Sequence, residues 1–171
     1  MGLKDDRYFM ELNALDKIDD VLEIFKEYSP CVFLKTDEGY DWMEEDHSKC
    51  IVFANPYGGE SLEIVVGDRD EFTLCYNGHA HYANYQYDYD LMIERIRDIF
   101  CNRICAGTLT DNSGKWYGSG YFDKNEIAEQ PQKVFEFVFK EKEFYEHLTR
   151  VGYKVKYEFW NPADNITTQN G

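Results

Sequence analysis

Hydrophobic positions first recur with a helical period. Leu15, Ile18, Leu22 and Phe25 are spaced by three and four, which predicts an amphipathic helix over 13–28. Asn13 is placed to cap it, and Ser29-Pro30 to stop it. Residues 31–35 predict a short strand and 36–49 an acidic loop. From Cys50 the period changes to two. Ile51 and Phe53, then Leu62, Ile64 and Val66, then Phe72, Leu74 and Tyr76 alternate with smaller or polar residues. Gly58-Gly59 separates the first two runs, and Gly67-Asp68-Arg69-Asp70 the next two. Asn77-Gly78 is a strong hairpin signal because both turn positions need a positive φ, so 71–76 and 79–85 are predicted to pair antiparallel.

The next pattern is helical again. Met92, Ile93, Ile96, Ile99 and Phe100 form an apolar stripe over 89–103, with Asp88 or Asp90 available at its start. Strands at 104–110 and 115–122 flank the turn Asp111-Asn112-Ser113-Gly114. Residues 134–139, VFEFVF, predict a strand, and 141–150 a short helix ended by Gly152. A last strand over 153–160 carries Tyr153, Val155, Tyr157 and Phe159 on one face, and Pro162 closes it. The expected class is α+β: a mostly antiparallel sheet of about seven or eight short strands packed against two or three helices. With no repeat and no linker, 1–171 reads as one globular domain with loose ends at 1–6 and 163–171.

Composition narrows the class. Hydrophobic residues make up 43% of 171 and aromatics 17%, enough for a core despite the charge. The formal net charge is −15. That is the opposite of a nucleic-acid footprint and disfavours anionic membrane surfaces. It suits solubility, or a basic protein partner approached by electrostatic steering. The first residues are charged and carry no apolar signal segment, and Asp6 stands where a myristoylation motif needs Ser or Thr. Five cysteines, an odd number, suggest reduced packed thiols and a cytoplasmic location. Cys31, Cys75, Cys101 and Cys105 are expected to be buried among apolar neighbours.

The densest chemistry lies in FTLCYNGHAHYANYQYDYD, residues 72–90. His79 and His81, two apart on a strand, would project from one face. They could begin a metal site, with Asp88, Asp90, His47 or Cys50 as further ligands, but none of these stands at a diagnostic spacing. There is no nucleophile elbow and no phosphate loop; Gly118-Ser119-Gly120 lies within a strand. No cofactor is expected. Tyr82, Tyr85 and Tyr87, interleaved with polar residues and followed by Asp88 and Asp90, read instead as an aromatic contact surface bordered by acids, which Trp116 extends. Such a surface fits a basic peptide or a cation over π faces. The expected function is therefore an acidic cytosolic binding module that contacts its partner through His79, His81, Tyr82, Tyr85, Tyr87, Asp88, Asp90 and Trp116. The alternatives are a small metal- or ligand-binding enzyme centred on His79 and His81, and a structural or regulatory subunit.

The order Phe72-Thr73-Leu74, Gly78, His79-Ala80-His81-Tyr82, an acidic gap, a helix, a strand, then Lys115-Trp116-Tyr117-Gly118-Ser119 resembles a widespread group of small bacterial proteins. Some members of such groups look like immunity proteins of polymorphic or contact-dependent toxin systems. The resemblance covers about 70–122 and implies neutralisation of a basic toxin domain in the producer's cytoplasm.

Overall fold

The computed structural model describes residues 10–67 and 71–170. The expected loose end at 1–6 and most of the Gly67–Asp70 turn lie outside these residues. The fold is α+β, with two antiparallel sheets of five and four strands among the described residues. The chain divides into two compact units, Met1–Arg97 and Asp98–Gly171.

The first unit begins with helix α1 (Ile18–Ile24), lengthened at both ends by 3-10 turns. Asn13 does not cap it: the helix enters through Lys17 with no side-chain cap. Ile18, Val21 and Phe25 form the buried stripe, while Leu15 and Leu22 flank it half-buried. Ser29 ends the segment in the left-handed region, with φ 50°. Strands β1 (Cys31–Leu34), β2 (Lys49–Phe53), β3 (Leu62–Val66), β4 (Phe72–Tyr76) and β5 (His79–Ala83) then pair in sequence order. The Asn77-Gly78 turn has φ values of 48° and 74°, as a type I′ hairpin requires. Strand alternation fixes the two faces. Ile51, Ile64 and Leu74 are cross-strand neighbours on the buried face, and so are Val66, Phe72 and Ala83. Phe25 meets Phe53 edge-to-face at 5.8 Å between ring centroids, and Tyr89 of helix α2 (Gln86–Phe100) meets Phe72 at 5.6 Å. Helical segments therefore cover this face.

β1 is a short edge. Its Leu34 amide donates to the Asp37 carboxylate, the Leu34 carbonyl accepts from the Asp37 amide, and Pro30 precedes the strand without an N–H. This local closure limits what the edge offers to another strand.

The second unit holds β6 (Ile104–Asp111), β7 (Trp116–Asp123), β8 (Tyr153–Glu158) and β9 (Ile166–Asn170), ordered β7-β6-β8-β9. β8 alternates as predicted, with Tyr153, Val155 and Tyr157 buried. Two expectations fail here. The 134–139 segment is helical, split between α3 (Pro131–Val134) and α4 (Glu136–Phe139). Phe135, Val138 and Phe139 stand at i, i+3 and i+4, so a helix sends all three into the core, where a strand would split them across two faces. Pro131 at the first turn and the Lys140–Glu136 pair support the helix. In the expected loose end at 163–171, residues 166–170 pair with β8 as an exposed edge strand. Helix α5 (Lys142–Val151) ends at Gly152, whose φ of 78° suits glycine. The core joins Leu109, Leu148, Val155 and Phe159 to the aromatics of α3–α4. Gly107 has no room for a side chain, because a Cβ there would sit 2.6 Å from the Phe122 ring.

Two cysteine expectations also fail. Cys31 on the β1 edge and Cys101 just past the end of α2 are exposed, whereas Cys50 and Cys105 are buried and Cys75 is half-buried. Burial pushes the Cys50 and Cys105 thiols up to about 12. A maleimide at neutral pH should therefore modify Cys31 and Cys101 first, and Cys50 and Cys105 only on unfolding, which peptide mapping by mass spectrometry would check.

Candidate binding groove on the second face of the first sheet

The second face of the five-stranded sheet carries the opposite parity: Glu63 and Val65 on β3, Thr73 and Cys75 on β4, and Tyr82 on β5. Register sets Val65, Thr73 and Tyr82 in one cross-strand row and Glu63, Cys75 and Ala80 in the next. Thr73 and Cys75 are small, whereas the neighbouring strands present Glu63, Val65 and Tyr82. The middle strand is therefore a low floor between taller walls. The 36–48 loop folds over one end and adds Trp42, Met43 and Glu44. Together with Ser48, Gly67 and Glu71 these residues line a groove of about 370 Å³.

The groove is apolar in its floor and acidic at its sides. Trp42 and Tyr82 are 53% and 59% exposed, which leaves large aromatic surfaces uncovered. Glu63 is half-buried, and neither it nor Glu71 forms an ion pair with a described residue. No Lys or Arg is among the described lining residues. The negative field is felt locally: burial and then Glu63 raise the Cys75 thiol, and Glu63 adds to the rise at Cys50 and Tyr40.

Of the residues predicted from sequence, Tyr82 alone lines this groove. His79 and His81 have the other parity and are half-buried on the helix-covered face. Arg95 of α2 donates from Nη1 to His81 Nδ1 at 2.7 Å. Arginine can only donate, so Nδ1 is the acceptor and the neutral ring carries its proton on Nε2. Burial, and then Arg95, lower the His81 pKa from 6.5, while Asp88 opposes them; burial, Arg95 and His81 lower that of His79. The stability that this His81 shift provides is complete above its unfolded value and is lost as pH falls through the lower folded value. A guanidinium on Nδ1 repels a metal ion from that nitrogen. Among the described residues no group of three or more His, Cys, Asp or Glu is placed to hold one.

β5 ends at Ala83, short of the predicted 85, and α2 begins at Gln86, ahead of the predicted 89. Tyr85 makes an isolated bridge to Glu11, and Tyr87, Asp88 and Asp90 are helical, so strand parity does not govern them. Tyr85 and Tyr87 are each 44% exposed. Asp90 is exposed and accepts from Gln86 Nε2 at 2.8 Å. Trp116 belongs to the second unit, on β7, and is exposed. Sequence reasoning missed Trp42, Glu63 and Glu71. The available signal was Glu63 itself, a lone acid in the strand LEIVV whose parity takes it away from the core.

The second unit has its own polar centre at the β6–β7 turn. Asp111 Oδ1 accepts from the Ser113 hydroxyl at 2.6 Å and from the Ser113 and Lys115 amides at 2.9 and 3.0 Å. Oδ2 lies 3.4 Å from the Tyr117 hydroxyl and 3.5 Å from His147 Nε2. These bonds, led by that of the Ser113 hydroxyl, hold the Asp111 carboxyl down at about 2. The contribution is complete above the usual carboxylate range and is lost as pH falls through about 2. Urea titrations at stepped pH should show that Asp111→Asn removes this acid-dependent part of the loss, and a parallel decline in the variant would refute the assignment. His147 Nδ1 faces Arg150 Nη2 at 3.4 Å, so both of its ring nitrogens have a neighbour, and Lys115, Tyr117 and Phe144 line the shallow pocket beside it. The bonds to Asp111 order the turn.

Comparisons with protein-family models, curated proteins and solved structures found no match to this chain.

Proposed function

We propose that this protein is an acidic binding module for a basic protein partner, and that the groove on the second face of its first sheet is the contact site. The observation that carries the reading is the uncovered pair Trp42 and Tyr82 beside Glu63 and Glu71, which no described basic residue neutralises. Exposed aromatics supply contact area at low entropic cost, and the unpaired carboxylates supply selectivity for positive charge. The net charge of −15 speeds the encounter with such a partner. Neutralisation of a basic toxin domain would be one instance of this activity.

The test is titration with a basic protein encoded beside this one, by calorimetry at low and raised salt. Binding that weakens steeply as salt rises is expected. Absence of binding at low salt to every basic neighbour would overturn the proposal.

A further inference from the structure

The dimensions of the groove name the group it takes. Tyr82 on β5 and Val65 on β3 stand directly across β4, roughly 10 Å apart by two strand spacings, and Glu63 lies one row along on β3. Thr73 lies between Val65 and Tyr82, and Cys75 between Glu63 and Ala80. The slot is therefore about one extended side chain wide. Val65 on one wall and Met43 from the loop give it apolar surface for a methylene stem. Its rim offers two aromatic faces, and its walls carry carboxylates that form no ion pair with a described residue.

We propose that the slot receives a single arginine side chain presented by an extended segment of the partner, with its guanidinium against Glu63 and its stem over Thr73 and Cys75. This rests on the binding-module reading and narrows it to one residue. Arginine fits better than lysine for three reasons. Its planar head stacks on Trp42 or Tyr82, it pairs with a carboxylate through two parallel donors, and it gives up water more readily than an ammonium. A half-buried carboxylate without a countercharge is costly, and the entering guanidinium relieves that cost. The Cys75 thiol, held in its protonated form by burial and by Glu63, presents no competing anion.

The experiment uses the full chain and three blocked tripeptides, Gly-Arg-Gly, Gly-Lys-Gly and Gly-citrulline-Gly. Binding is followed by amide chemical shifts up to peptide concentrations on the order of 10 mM. Citrulline keeps the shape of arginine and removes its charge. The arginine peptide should shift the Thr73, Cys75 and Tyr82 amides and bind roughly tenfold more tightly than the citrulline peptide, with lysine between them. Glu63→Gln, which preserves size, should remove most of that preference while leaving the remaining spectrum in place. Equal binding of arginine and citrulline, shifts confined to other surfaces, or no shift at the highest concentration would each overturn the arginine assignment. If the arginine peptide fails while a whole basic partner still protects Cys75 from alkylation, only this inference falls. If the partner also fails to bind, the broader reading falls with it.

Discussion

Truncating Trp160 to alanine should destabilise the chain by about 3–5 kcal/mol, the usual cost of deleting a large aromatic from a closed core. Trp160 is 1% exposed and meets the Phe100 ring at 4.8 Å. The chain beside it cannot easily settle into the space it would leave. Asn102, in the left-handed region with φ 56°, accepts from the Asn161 amide through Oδ1 at 2.9 Å and donates through Nδ2 to Asp164 at 2.9 Å. That clamp holds the 161–164 turn in place, so a cavity persists. Since a domain typically has only about 5–15 kcal/mol in reserve, the variant should unfold at far lower urea than the parent. Trp42 and Trp116, 53% and 60% exposed, are the controls: alanine at either should leave the urea midpoint within the small range of surface substitutions. A parental midpoint for Trp160→Ala would show that the site collapses freely and that the clamp does not hold.

The largest functional effect should come from reversing one charge. Glu63→Lys places a cation in the groove at the position proposed for the partner's own, replacing an attraction with a repulsion. Loss of a desolvated charge pair costs on the order of 2–5 kcal/mol, so affinity for a basic partner should fall at least thirtyfold. The folded state should change little, because Glu63 forms no ion pair with a described residue. Calorimetric affinity and thermal midpoint, measured together, separate the two effects. Weakened binding with a nearly unchanged midpoint is the expected pair. Undiminished binding would place the contact elsewhere.

The parts of this fold readable in the sequence are those written in neighbouring residues. Asn77-Gly78 announces its hairpin because turn chemistry is local. Tyr153, Val155 and Tyr157 announce β8 because one sheet face is buried and the other is wet. VFEFVF misleads because five of its six residues are apolar, so period two and period 3.6 both fit. Phe135, Val138 and Phe139 become decisive only when a core exists on one side. The division of the nine described strands into two sheets depends on which edges meet, and no local pattern carries that. The groove was least legible of all. Its members come from positions 42, 63, 73 and 82, and register across three strands and a folded loop brings them together. The conspicuous His79-Ala80-His81 points to the strand that bears Tyr82, but to its opposite side. Tyr82 stands out in the sequence for its aromatic ring, and strand alternation puts it on the face away from the histidines.

The closure of β1 has a consequence for how crowded solutions of this protein behave. A strand of sequence Cys-Val-Phe-Leu at the rim of a sheet is a template, and a template invites copying by the next molecule. Here the Leu34 amide and carbonyl are already engaged by Asp37, and Pro30 offers no donor on the other side. A second chain arriving at this rim finds a ladder with its end rungs taken. The last rung of the sheet is closed within the molecule, so this rim offers a second chain a shortened ladder.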